Sequence, residues 1–227
     1  MNFQMRPKIA LIHATRLAIA PIENTFKDLW PSANIFNLLD EGLLKDIDLL
    51  SSQQMNQRFR SLANYAVSTG CEAILFTCSV FGDAIDSVKE ALALPVYKPN
   101  EAMIESIYQL AQEKKELAIV VMGTAQLSVD SLSHEIDEWA NNHHVSIKIK
   151  KYAVDQAFEL LCKGQADVHD ALIVEAVQKN QSINLIVFTQ FSMASAYQRC
   201  SQVSSVPIFS APVIAVQTIQ KRIFHES

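Results

Sequence analysis

Glycine is scarce in this chain: five among 227 residues, at positions 42, 70, 82, 123 and 164. No two lie within three residues of each other. The dinucleotide fingerprint and the P-loop both need clustered glycines so that backbone can approach phosphate, and both are excluded. Basic charge is also in short supply. Nineteen lysines and arginines face 24 acidic residues, giving a net charge of −5 and a pI near 5.7. That leaves no electrostatic footprint for nucleic acid. The four cysteines, at 71, 78, 162 and 200, show neither C-x-x-C nor metal-ligand spacing. His143-His144 stands in a polar NNHH turn without a cysteine or carboxylate at ligand spacing. No metal and no cofactor is expected. No apolar run approaches membrane-spanning length, and Arg6, Lys8 and Arg16 interrupt the only stretch that resembles a leader. Free thiols in a chain of this size fit a reducing compartment. The expectation is a soluble cytoplasmic protein without nucleic-acid or membrane partners.

What is abundant is apolar surface. A hydrophobic content of 49% with 19% charged residues suits one large or two small globular domains with full cores. Apolar runs read as strands at Lys8 to His13 (KIALIH), Ile35 to Leu39, Ala73 to Phe76 and Pro95 to Tyr97. Amphipathic stretches lie between them, including Gln53 to Thr69, which Gly70 is placed to terminate, and a helix that runs from Asn100 to Lys115. The stretch from Asp40 to Ser52 reads as polar and irregular. The pattern then repeats, with strands at Leu117 to Val121, Val145 to Tyr152, Leu185 to Phe188 and Pro207 to Phe209. Strands alternating with helices predict an α/β fold with parallel sheets.

The second half reads as a diverged copy of the first. Phe76-Thr77 recurs as Phe188-Thr189 and Pro95 as Pro207, both 112 residues on, while Ile9-to-Thr15 matches Ala118-to-Thr124 at an offset of 109. Two similar parallel-sheet α/β lobes related by a pseudo-twofold axis are expected. Residues 1–112 would form the first, with the C-terminal helix 210–227 packing back on it, and 113–209 the second. The carboxyl ends of parallel strands are where such sheets bind ligands, so an active site in a cleft between the lobes is expected.

One stretch carries the chemistry, Gly70 to Gly82, GCEAILFTCSVFG. It sets Cys78 at the carboxyl end of a buried strand and ahead of a helix expected from Asp83. Exposed N–H groups and the positive end of a helix dipole favour an anion there, whether a thiolate or a substrate carboxylate. An inert buried thiol is the alternative. Cys71, Cys162 and Cys200 read as packing residues.

With these segments in view, the chain resembles the aspartate/glutamate/hydantoin racemase superfamily over essentially its whole length. The matching stretches are IALIHATRLAIAPI, ILFTCS, PVYKPNEA, VVMGT and LIVFTQFSMA. Members typically use two cysteines, one from each lobe, to remove and return a proton at a carbon next to a carboxylate, without a cofactor. Cys78 matches the first-lobe cysteine, but the second-lobe position is Gln190, whose amide does not titrate and cannot serve as a general acid or base. Three readings follow. The protein is a racemase or epimerase with another second proton donor, for which His13 at the end of the first strand is the candidate and a bound water the fallback; or it is a single-cysteine decarboxylase or cis-trans isomerase; or it binds a small acid without turnover. His13 also has the plainer reading of a hydrogen-bonded core residue. Thr15, Thr77, Ser79, Thr124, Gln190 and Ser192 are candidate substrate contacts, their hydroxyls and turn N–H groups forming a carboxylate cradle. For the hydroxyl residues the alternative is helix capping. Arg16 is the nearest candidate to read a second carboxylate, against an ordinary solvated charge. The resemblance also implies a homodimer and a small carboxylate or amino-acid substrate.

Overall fold

The structure is a computed structural model and describes residues 6–114 and 116–225. It contains two four-stranded parallel sheets, each with the same strand order and each flanked by helices.

In the first sheet the elements run β1 (Lys8–His13), α1 (Ile19–Leu29), β2 (Asn34–Leu39), α2 (Gly42–Lys45), α3 (Ser52–Ser68), β3 (Ala73–Phe76), α4 (Gly82–Ala91) and β4 (Val96–Tyr97). The spatial order is β2-β1-β3-β4, all parallel. β1 and β3 are the inner strands, and their unbroken apolar runs are buried on both faces, as interior parallel strands require. The edge strand β2 is half-exposed. The longest helix of this half, α3, starts at a capping box. Ser51 Oγ accepts from the Gln54 N–H, and Gln54 Oε1 accepts from the Ser51 N–H. The chain leaves it through Gly70 at φ +76°, in the left-handed region that a side chain would resist. In the core beside α3, Phe59 stacks on Phe76 and meets Phe81 at a tilt.

The second sheet repeats the plan. Its elements are α5 (Glu101–Gln112), β5 (Leu117–Gly123), α6 (Gln126–Asn142), β6 (Ile147–Ala153), α7 (Ala157–Cys162), α8 (Ala166–Gln178), β7 (Leu185–Phe188), α9 (Ala194–Val203) and β8 (Ile208–Ser210), after which the chain continues into α10 (Ala211–His225). The order is β6-β5-β7-β8. Its edge strand β6 alternates half-buried and exposed residues at its start, as IKIKK reads.

The chain divides into two compact units, one of residues up to 101 together with those from 215 onward, the other of residues 102–214. The expected boundary lay between 112 and 113. α5 instead belongs to the second unit, where Tyr108 packs edge-on against Trp139 of α6 at 4.4 Å between ring centroids. Most of α10 belongs to the first, where Phe224 meets Trp30 at 5.7 Å and the Arg222 guanidinium lies over the Tyr97 ring. The expected helix to Lys115 ends at Gln112, and Lys115 itself lies outside the described residues, as do the last two residues of the expected 210–227 segment. The stretch read as irregular holds the short helix α2.

In each unit the chain goes from the first strand to one neighbour and then crosses to the other side. This places a topological switch point between the carboxyl ends of β1 and β3, and another between those of β5 and β7. Ligands of open α/β sheets bind at such points.

Candidate active site at the strand tips

Cys78 lies two residues past β3, in extended backbone (φ −122°, ψ 119°), and opens a 3-10 turn, Ser79–Phe81, that leads into α4. Gln190 holds the same place after β7, at φ −129° and ψ 141°, ahead of the turn Phe191–Met193 and α9. The matching offset of 112 is therefore kept at Phe-Thr, at these turns, and at the bonds in which Ile74 and Ile186 donate to the carbonyls of Pro95 and Pro207. The offset of 109 between the first strands is not. Sheet register pairs Ile9 with Ala73 and Ile119 with Leu185, so Ile9 corresponds to Ile119, an offset of 110. His13 is thus the counterpart of Gly123, and Thr15 of Ala125 rather than Thr124. Hydrogen bonding to the inner neighbour fixes the register, and the coincidence of two threonines misleads.

The two switch points differ in chemistry. In the first unit the His13 ring is wholly buried and both nitrogens are occupied. Nδ1 is 2.8 Å from Thr77 Oγ1, and Nε2 is 2.9 Å from Asn37 Oδ1. Asn37 in turn donates from Nδ2 to Glu23 Oε1 at 2.6 Å. Burial pushes the His13 pKa down, partly opposed by the Asn37 bond and the Glu23 charge. A direct proton-donor role for His13 is not what this geometry provides: the ring has no free nitrogen. Sequence reading missed Asn37 and Glu23. The available signal was the polar Asn37 inside the apolar run IFNLL.

In the second unit the same positions are almost devoid of titratable groups. A Cβ on Gly123 would collide with the Thr189 hydroxyl and approach Val129 Cγ2 to 2.7 Å, so only glycine fits. Thr189 Oγ1 instead meets Ser128 Oγ at 3.0 Å. Gln190 Oε1 accepts from both the Thr124 N–H (2.7 Å) and the Thr124 hydroxyl (2.9 Å). Thr124 and Gln190, both expected to contact substrate, satisfy one another. Lys151, the register counterpart of Asn37, extends to Asp130 at 2.8 Å on the exposed side.

Of the remaining expected contacts, Thr15 caps the turn Arg16–Ala18, its Oγ1 accepting from the Leu17 N–H at 3.3 Å. Arg16 is exposed and held by Glu41 through two bonds of 3.0 and 2.7 Å, which fits a surface ion pair. Thr77 is turned to His13, Ser79 is half-buried in the Cys78 turn, and Ser192 is buried in the turn after Gln190. Among the described residues, no three His, Cys, Asp or Glu side chains gather in a way that could hold a metal ion. None of the helices, over the same residues, is long and apolar enough to cross a membrane.

The expected activation of Cys78 by a helix N-terminus does not win here. The sulfur packs against the β3 core, burial pushes the thiol pKa up, and the Val80 backbone N–H opposes this only in part. The 3-10 turn Ser79–Phe81 stands between Cys78 and the start of α4. Alkylation by iodoacetamide requires thiolate, so its rate at Cys78 is expected to climb with pH through a midpoint above the ordinary thiol value of about 8.5. Exposed Cys162 is expected to label first, and buried Cys200, its pKa pushed up to about 12, only on unfolding. Peptide mapping after timed labelling checks this order; fast labelling of Cys78 at pH 7 would contradict it.

The fold defined by these sheets is that of the amino-acid racemases. A Pyrococcus horikoshii aspartate racemase homologue superposes with a TM-score of 0.71 at 13% identity, over 96% of this chain and 98% of that one. The Francisella tularensis glutamate racemase, solved in complex with D-glutamate, gives 0.65 at 11% identity, covering 97% and 82%. Allantoin racemase from Klebsiella pneumoniae gives 0.64 at 14%, covering 97% and 89%. No protein-family model and no curated protein matches the sequence. The expected α/β architecture of two similar lobes is the one found.

Proposed function

We propose that this protein is a cofactor-independent, racemase- or epimerase-like isomerase that acts at the carbon next to the carboxylate of a small amino acid or related acid, with Cys78 as the acid/base. The observation that carries this reading is Cys78 itself, a partly accessible thiol in the turn at the β1/β3 switch point of a racemase fold. In the proposed step the thiolate takes the α-proton. The electron pair left on carbon spreads into the carboxylate as the carbon becomes planar. Return of the proton by the thiol to the same face restores the starting enantiomer, so inversion takes a proton from a bound water on the opposite face, with the Cys78 proton passing to solvent. Because burial favours the thiol, each turnover starts with loss of the Cys78 proton to solvent water. The N–H groups of the Cys78 turn with the Ser79 hydroxyl are the proposed carboxylate donors, and Ser192, in the turn after Gln190, is a proposed substrate contact. Thr15 is assigned to capping the turn Arg16–Ala18, Thr77 to holding the Cys78 turn, and Thr124–Gln190 to holding the turn after β7.

A second reading, a single-cysteine decarboxylase or isomerase, is favoured by one observation. The Gln190 oxygen is already committed to Thr124, and no titratable side chain replaces a second cysteine in that turn. Chiral chromatography after incubation with single enantiomers of amino acids and hydantoins, and CO2 release from malonic acids, separates the two. Appearance of the opposite enantiomer supports the first reading; CO2 release without inversion supports the second.

A further inference from the structure

The chain Glu23–Asn37–His13–Thr77 crosses four elements, α1, β2, β1 and the end of β3, and it stops one residue short of Cys78. Its direction follows from donor and acceptor chemistry. A carboxylate only accepts, so Asn37 must turn its Nδ2 to Glu23 and its Oδ1 to His13. An amide oxygen also only accepts, so His13 carries its hydrogen on Nε2. Nδ1 of the neutral ring is then a bare lone pair, and it takes the hydroxyl hydrogen of Thr77. The alternative acceptor for that hydrogen, the Ile12 carbonyl, is farther away at 3.4 Å. The second unit has no such chain, because Gly123 replaces the histidine and Lys151 the asparagine.

We propose that Glu23, Asn37 and His13 are positioning residues that form a proton-responsive brace for the Cys78 turn. With His13 neutral, the Thr77 hydroxyl hydrogen is drawn inward and its oxygen offers lone pairs only. When His13 takes up a proton, Nδ1–H donates to Thr77 Oγ1. The hydroxyl hydrogen is released, and Thr77 becomes a donor beside the cysteine. No bond to carbon is made or broken; one proton enters at Nδ1 and one hydroxyl rotates. Glu23 on α1 is the charge that acts on the ring, Cys78 follows Thr77 after β3, and Asp40, just past β2, donates its backbone N–H to the His13 carbonyl. The Asp40 carboxylate is already held by Arg58 of α3 at 2.6 Å. Glu23 is therefore the carboxylate free to stabilise an imidazolium through Asn37. The depressed His13 pKa fits a ring that is neutral at rest.

The part of this inference that concerns catalysis rests on the Cys78 reading, but its test needs no substrate. In full-length protein labelled at histidine and backbone nitrogen, His13 is identified by the resonance lost in His13→Gln. The expected result is the Nε2–H tautomer at pH 7.5. The Cys78 and Ser79 amides should titrate with the His13 midpoint, while those of Gln190 and Phe191 stay flat. Thr77→Val should abolish the shift at Cys78. Asn37→Leu should move His13 to the Nδ1–H tautomer, and Asn37→Asp should keep Nε2–H and raise the midpoint by about one unit. If Asn37→Leu does not fold, Glu23→Gln serves instead and should lower the midpoint. An Nδ1–H tautomer in the unmodified protein, or a Cys78 amide that ignores the His13 titration, overturns the brace. Failure of substrate exchange with the titration intact counts against the Cys78 reading alone.

Discussion

Cys78→Ser is expected to lower α-proton exchange by about a thousandfold or more, since general acid–base groups contribute about 10² to 10⁴ and a serine hydroxyl cannot ionise in this range. The fold should survive. Cys78 is only half-buried, and exchanging sulfur for oxygen at the margin of the β3 core removes little contact. A cost of about 1 kcal/mol, or a fall in Tm of about 2–4 °C for a chain of this size, is the scale to look for. Exchange kinetics alongside a thermal melt separates loss of chemistry from loss of structure. A serine variant with full activity would make Cys78 a packing residue.

Gln190→Cys is expected to have the largest gain. It places a thiol at the position equivalent to Cys78, after β7 and ahead of the matching 3-10 turn. It also releases the Thr124 N–H and hydroxyl from the glutamine oxygen. Those donors can then face a ligand, although leaving them without a partner costs about 1–3 kcal/mol in its absence. Inversion of a bound amino acid should appear, or rise by about tenfold or more, within the range general acid–base groups supply. Chiral chromatography reads it. A folded Gln190→Cys protein that exchanges the α-proton yet yields no opposite enantiomer would contradict the equivalence of the two turns.

The sheets were legible because interior parallel strands are written as unbroken apolar runs, IALI within KIALIH, AILF, LAIVV and LIVF. Cys78 and Gln190 were legible as counterparts for the same reason: each follows a Phe-Thr pair at a strand end. The network behind Cys78 was not. Its members come from α1, β2, β1 and β3, and nothing local in Glu23 or Asn37 says that a sheet will stack them on one histidine. Gly123 shows a similar limit. Sequence shows it only as a glycine in VVMGT, whereas the structure needs it because the Thr189 hydroxyl occupies the space of a side chain. The ionisation of Cys78 ran against expectation because a helix that follows in sequence suggests a nearby dipole. The intervening 3-10 turn and the apolar packing leave dehydration as the larger effect.

Proton NMR in D2O bears most directly on the role of Cys78. Wild-type protein and Cys78→Ala would be incubated with L- and D-amino acids, hydantoins and small dicarboxylic acids, and the α-proton signals followed. The expected result is loss of an α-proton signal with the wild type on at least one substrate and none with Cys78→Ala, both proteins giving the same far-UV circular dichroism. Equal exchange by the two proteins would contradict the assignment of Cys78 as the acid/base.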